Sequence, residues 1–206
     1  QYGYQPKPTA QENVHHGNWI KVEGVADLLE STVGIVALGD IGSEIARRLR
    51  PFGPRICYYQ RNRHAEAIEN SLGVHYMPLD QLIAESDYLV LVLPMTPATE
   101  NLLSRERIAR MKPGACVINV GRGGLIDEEA LCEALREKRL AAAGLDVFRM
   151  EPVPQTNPLL KLQNIVLSPH MAGGTSDRYW KVDVAGVLEN IRRFISGEGA
   201  VGRLDG

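Results

Sequence analysis

The chain is poor in cysteine, with three in 206 residues. Cys57, Cys116 and Cys132 stand far apart, which excludes a disulfide framework and gives no zinc-ligand spacing. No metal site is expected. Cys57 and Cys116 fall in strand-like runs and read as small buried hydrophobes. The pattern fits reduced thiols in a cytoplasmic setting. Long apolar runs are also missing. The longest, residues 89–93, is far short of the roughly 20 residues that cross a bilayer as a helix, so no membrane role is expected. Charge of one sign is scarce: 23 Lys and Arg stand against 25 Asp and Glu, a net −2. That leaves no basic footprint for nucleic acid or an anionic membrane. Residues 1–8 show no charged-then-apolar signal pattern. Internal repeats and low-complexity segments are lacking too. What remains is 44% apolar and 23% charged, enough to bury a core without staples.

Residues 1–30 are polar and loop-rich, with Pro6, Pro8 and a His15-His16-Gly17 turn, and read as an arm or linker. From Thr32 apolar runs alternate with helical segments, the signature of βαβ units and a parallel sheet. Strands are expected at 33–38, 56–59, 74–76, 88–93, 116–120, 142–147 and 165–167. Helices are expected at 41–52, 65–72, 79–84, from the Ser104 cap to 110, from the Asp127 cap to about 139, and at 176–196. In the first helix Ile41, Ile45, Leu49 and Phe52 recur at helical spacing and are predicted to face the core. Residues 149–163 form a Pro-rich loop long enough to suggest function. Seven strands with crossover helices predict an α/β fold, a doubly wound parallel sheet of the Rossmann type.

Ala37-Leu38-Gly39-Asp40-Ile41-Gly42 lies at an expected strand end and helix start. There Gly39 would let the backbone approach a pyrophosphate and Gly42 would let the helix pack on the strand. The helix N-terminus adds free N–H groups and a positive dipole end. The dinucleotide pattern has glycine where Ala37 stands, so a methyl there is expected to strain the turn. The competing reading is a plain strand-turn-helix with glycines for packing. Eighteen residues after Gly42 stands Gln60, followed by Arg61, Asn62 and Arg63. An NAD site would place a carboxylate near here to bind the ribose. With none present and two guanidinium groups nearby, NADP(H) is expected to bind at least as well as NAD(H). The alternative leaves Arg61 and Arg63 as solvated surface charges.

Three residues have the chemistry to reduce a carbonyl beside a carboxylate. Arg122 follows an expected strand and offers a planar charged fork to both groups. His170, in Ser168-Pro169-His170 after the last strand, is the side chain whose proton moves near neutral pH. Glu151 could bond one imidazole nitrogen, fix the tautomer and stabilise the imidazolium. Taken singly, each reads as well as a loop charge or a structural histidine. His15, His16, His64 and His75 are assigned structural roles, since none is read as following a core strand.

Val-Gly-Arg-Gly-Gly-Leu-Ile-Asp at 120–127, Gly-Leu-Asp-Val-Phe-Arg-Met-Glu-Pro at 144–152 and Ser-Pro-His-Met-Ala-Gly at 168–173 resemble the signature blocks of the D-isomer-specific 2-hydroxyacid dehydrogenases. That family includes phosphoglycerate dehydrogenase and glyoxylate/hydroxypyruvate reductase. The resemblance is strong over 33–173 and weaker at Gly17-Asn18-Trp19 and Glu189-Asn190-Ile191. It implies an NAD(P)-dependent oxidoreductase moving a hydride between the nicotinamide and a small D-2-hydroxy or 2-keto acid. Arg122, Glu151 and His170 would be catalytic. Asp146 would bond the nicotinamide carboxamide, and Asp40 and Ile41 the pyrophosphate. The adenosine-side loop would be Leu93-Pro94-Met95-Thr96-Pro97. Val120, Gly121, Ala172 and Gly173, inside the matching blocks, complete the expected cofactor surface.

By the same resemblance, 1–30 is an arm and dimerisation segment and 31–173 the dinucleotide-binding domain. Residues 174–206 would be a helix and tail returning toward a substrate domain. A homodimer is expected. Only about 30 residues precede the first strand, so the N-terminal substrate domain is expected to be missing and the chain alone to bind cofactor but turn over poorly. Two other readings compete: a dinucleotide-sensing, corepressor-like binding protein of the same family, and a Rossmann remnant without nucleotide. The lack of basic or low-complexity tails favours the enzyme.

Overall fold

The computed structural model describes residues 15–17, 27–173, 177–199 and 201. Most of the expected arm and dimerisation segment, including Asn18 and Trp19, therefore lies outside the described residues. So do the expected helix start at 176 and the end of the tail.

Seven strands form one parallel sheet. They are β1 (Thr32–Val36), β2 (Arg55–Tyr59), β3 (Val74–Tyr76), β4 (Tyr88–Leu91), β5 (Cys116–Asn119), β6 (Ala142–Leu145) and β7 (Ile165–Leu167). The order is β3-β2-β1-β4-β5-β6-β7, and all six pairings are parallel. Helices α1 (Asp40–Leu49), α2 (Glu66–Leu72), α3 (Leu79–Glu85), α4 (Arg105–Arg110) and α5 (Glu128–Arg136) make the crossovers, and α6 (Asp177–Ile195) follows β7. The strand order reverses between β1 and β4, and open α/β sheets bind ligands beyond the carboxyl ends of the strands at such a point. The sheet is covered on both faces, as parallel sheets require. Alternate residues of β1 part accordingly: Val33 and Ile35 join a cluster with Ile56, Tyr58 and Leu72, while Val36 joins the larger one with Leu82, Leu89 and Leu131.

The strands stop sooner than the apolar runs do. The run 33–38 ends as a strand at Val36 because Ala37 turns to φ 78°. The run 88–93 ends at Leu91, opposite Val36, and 142–147 ends at Leu145, opposite Asn119, where the partners end. The expected helix 41–52 also divides. α1 ends at Leu49, and a 3-10 turn covers Arg50–Phe52 up to the left-handed Gly53, because Pro51 has no N–H for the α-helical ladder.

The face of α1 corrects the sequence expectation. Ile41 and Phe52 are 59% and 61% exposed, and the residues buried against the sheet are Gly42 and Ala46. Small side chains bring the helix close to β1, and a Cβ on Gly42 would meet the Ala37 carbonyl oxygen. The caps at Ser104 and Asp127 are present, each side chain accepting from a first-turn N–H. α5 ends at Arg136, sooner than expected. Cys57 is buried as expected, whereas Cys116 is only half-buried. Among the described residues no helix is long and apolar enough to cross a membrane.

Candidate cofactor and active site

Gly39 is the N-cap of α1, no side chain caps that helix end, and the space where its Cβ would stand is open. The N–H groups of the first turn, at Asp40, Ile41 and Gly42, are thus left to an outside acceptor. This is the backbone cradle a pyrophosphate needs. Ala37 adopts φ 78°, a left-handed conformation that costs a non-glycine residue about 1–2 kcal/mol.

Gln60 does not reach outward from the end of β2. Its Oε1 accepts from the Leu38 N–H at 3.0 Å and its Nε2 donates to the Asn62 carbonyl at 3.3 Å. Arg63 is also withdrawn, which corrects the two-arginine expectation. Its Nε and Nη2 both donate to Glu69 at 2.8 Å, and its guanidinium lies 5.5 Å over the Tyr76 ring. The buried Glu69 also accepts from Tyr58 Oη at 2.7 Å. The Arg63 fork, helped by Tyr58, holds the Glu69 carboxyl down to about 2. Burial, with Glu69 beside it, pushes the Tyr58 phenol up to about 12. Arg61 is exposed and engages no partner among the described residues, leaving one guanidinium for a 2′-phosphate. His64, set aside by sequence reasoning, belongs to this turn: its Nε2 lies 2.9 Å from the Leu38 carbonyl.

Farther along the sheet edge, Arg122, Glu151 and His170 come together. They line one open cavity of about 380 Å³ with Met95, Gly124 and Phe148. His170 Nδ1 lies 2.7 Å from Glu151 Oε2, so Nε2 is the nitrogen left for a ligand. Glu151 Oε1 accepts from the Phe148 N–H at 2.8 Å. The hydrogen bond from His170, then that from Phe148, holds the Glu151 carboxyl below its ordinary value. The pair is wet, with side chains 50% and 37% exposed. On its other side lies an apolar groove of about 640 Å³ lined by Val153, Leu160 and Leu167.

Arg122 is exposed, and its Nη1 donates to the Gly121 carbonyl at 2.7 Å. Asn119, given no role by sequence reasoning, shapes this loop from within. It is buried, its Nδ2 donates to the Arg122 carbonyl at 2.9 Å, and its Oδ1 accepts from the Gly121 N–H at 3.1 Å. A polar residue closing an apolar strand was the available signal. Gly121 approaches so closely that a Cβ would meet the backbone of Leu93. This brings Val120 and Gly121 beside Leu93, while Pro94 is exposed at the mouth.

Asp146 faces inward. It accepts from Ser168 Oγ at 2.6 Å and from the N–H groups of Met171 and Ala172, each at 2.9 Å. The Asp146 carbonyl also accepts from the His170 N–H at 2.8 Å. Burial raises the proton affinity of this carboxyl, but the three donors outweigh it and the net shift is downward. The resemblance gives Asp146 a cofactor contact; in this structure its carboxylate anchors the segment carrying His170, which itself sits at φ 53°. Ala172 and Gly173 are exposed at the end of that segment. Among the described residues no group of His, Cys, Asp and Glu could hold a metal ion.

A family model described as the D-isomer specific 2-hydroxyacid dehydrogenase, NAD binding domain, matches residues 5–172. The chain belongs to this family. A glyoxylate reductase of Korarchaeum cryptofilum is 44% identical over 172 residues, which are 84% of this chain and 51% of that protein. A glyoxylate/hydroxypyruvate reductase B of Pectobacterium atrosepticum is 40% identical over 192 residues, 91% of this chain and 59% of that protein. The chain thus spans between half and three fifths of these curated relatives. A D-isomer specific 2-hydroxyacid dehydrogenase of Xanthobacter autotrophicus, crystallised with NADPH and MES, superposes with a TM-score of 0.81 at 34% identity, covering 95% of this chain and 78% of that one. The residues matched by the family model include all seven strands of the sheet.

Proposed function

We infer that the protein reduces a small 2-keto acid such as glyoxylate or hydroxypyruvate to the D-2-hydroxy acid, with NADP(H) used at least as well as NAD(H). The observation that carries this reading is the Glu151–His170 pair at 2.7 Å, in one cavity with Arg122 on the ligand-binding edge of the sheet. The cofactor fits the chain through the uncapped start of α1 and the open space over Gly39. When bound, the reduced nicotinamide supplies the hydride. Arg122 holds the substrate carboxylate and polarises the keto oxygen. His170 Nε2 gives its proton to that oxygen as the alkoxide forms, and Glu151 stabilises the imidazolium beforehand. Two relatives named glyoxylate reductase and glyoxylate/hydroxypyruvate reductase B support this choice of substrate class. Residues 31–173 would be the cofactor domain, 174–206 a return toward a substrate domain, and the functional unit a homodimer.

The test is a fluorescence titration with NADPH and with NADH, followed by turnover of glyoxylate and hydroxypyruvate. Binding of a dinucleotide and oxidation of NADPH on adding either acid is the expected result. If neither dinucleotide binds, the reading fails. Arg61→Ala should weaken NADPH more than NADH, and equal losses would return Arg61 to the solvated surface.

A further inference from the structure

Leu38 stands between the left-handed Ala37 and Gly39, and side chains from beyond β2 grip it on both sides. Gln60 Oε1 accepts from its N–H at 3.0 Å, and His64 Nε2 donates to its carbonyl at 2.9 Å. Neither side chain is loose. Gln60 is held by the Asn62 carbonyl at 3.3 Å. The His64 N–H donates to Tyr58 Oη at 3.0 Å, and the two rings lie 5.9 Å apart. Tyr58 is fully buried and bonded to Glu69, which Arg63 holds in turn. A continuous chain of contacts thus ends on the two peptide groups that flank Leu38, the residue after a strained alanine.

We propose that Gln60 and His64 are positioning residues: together they brace the phosphate turn in a shape that Ala37 resists and that a glycine would adopt unaided. The proposal rests on the reading that this turn binds a dinucleotide. Without the brace, Ala37 relaxes toward negative φ, and the Ala37 carbonyl that Gly42 packs against moves with it. With glycine at 37 there is no strain to relieve, so the brace becomes dispensable. Two side chains acting on one strained residue must then be energetically coupled to it. A direct contact with the ribose or a 2′-phosphate would instead be indifferent to residue 37.

The test is a set of double-mutant cycles with Gln60→Leu, His64→Leu and Ala37→Gly, read as Kd for NADPH and NADH and as Tm. Each leucine variant should weaken both dinucleotides by the same factor, on the order of tenfold, the scale of one strained non-glycine residue. In the Ala37→Gly background those losses should largely vanish. Gln60→Glu keeps an acceptor for the Leu38 N–H and should retain NADH affinity. Losses confined to NADPH, or equal with alanine and with glycine at 37, overturn the brace. If the parent chain binds neither dinucleotide, the functional reading fails by itself. The brace is then judged by Tm, where Ala37→Gly must recover most of the drop caused by Gln60→Leu or the proposal falls.

Discussion

At the β1–β2 end of the sheet edge, the groups that shape the turn are answered from inside the chain: Leu38 by Gln60 and His64, Glu69 by Tyr58 and Arg63. At the β6–β7 end, Glu151 and His170 answer each other but stand half in water, with an apolar groove open beside them. On the proposed reading, the first end is preorganised for an anion on the backbone donors of an uncapped helix start. The second is preorganised in geometry but not in dielectric. A charge-stabilising site gains strength when water is shut out. Dinucleotide binding should therefore be well developed in this chain as it stands, and rapid turnover should need a cover over His170.

The largest expected effect breaks the reacting end alone. His170→Ala, in the longest natural form of the protein, should lower kcat by about 10²–10⁴-fold, the usual contribution of a positioned acid or base, while NADPH affinity stays nearly unchanged. Near-normal kcat would remove His170 from the chemistry.

Gly42→Ala should do the reverse. Its Cβ meets the Ala37 carbonyl oxygen, and overpacking of about 1–3 kcal/mol corresponds to roughly five- to 150-fold in nucleotide affinity. The matching change at the other end is Gly123→Ala, whose Cβ would meet the Phe148 and Arg149 backbone ahead of Glu151. It should lower kcat and spare NADPH binding. If both substitutions affect binding and turnover alike, the two ends are not separable.

Asp146→Asn tests what holds His170 in place. An amide keeps one acceptor oxygen for Ser168 Oγ and the Met171 N–H, so the part-buried Ala172 N–H loses its charged acceptor at a cost of about 1–3 kcal/mol. At 2–4 °C per kcal/mol for a chain of this size, Tm should fall by roughly 2–12 °C. An unchanged Tm would show that the 168–172 segment is held by other contacts.

The smallest effect is a pH dependence. The Glu69 carboxyl is held at about 2 in the folded chain against an ordinary value of 4.5. Its folded value is the lower one, so its stabilising contribution is fully present above pH 4.5 and fades as pH falls toward 2. Urea midpoints measured on descending into that window should fall less steeply for Glu69→Gln than for the parent. Asp146 and Glu151, also held low, keep the residual slope of the same sign. Parallel profiles for parent and variant would count against the Arg63–Glu69–Tyr58 network.

The sequence carried the sheet well because its central parallel strands are apolar on both faces, and the edge strands Val74–Tyr76 and Ile165–Leu167 also match the expected bounds. It also carried the grouping of Arg122, Glu151 and His170, through the three signature blocks of the resemblance; Arg122 and His170 also stand just past expected strands. It missed what depends on partners across the fold. Helical spacing marked Ile41 and Phe52 but could not show that Gly42 and Ala46 face the sheet. The fork between Arg63 and Glu69 spans six residues across a helix start, a spacing no periodicity flags. His64 reaches Leu38 across 26 positions, and only the pairing of β1 with β2 brings them together.

That pairing gives two neighbouring amides different locks. The Ala37 N–H donates to the Tyr59 backbone carbonyl at 2.8 Å, while the Leu38 N–H donates to the Gln60 side chain. In native-state hydrogen exchange the first amide reports separation of the strands, and the second also reports the swing of a single side chain. The difference between their protection factors is thus a built-in gauge of local opening at the turn, readable residue by residue without any ligand. In Gln60→Leu the protection of Leu38 should fall while that of Ala37 stays still.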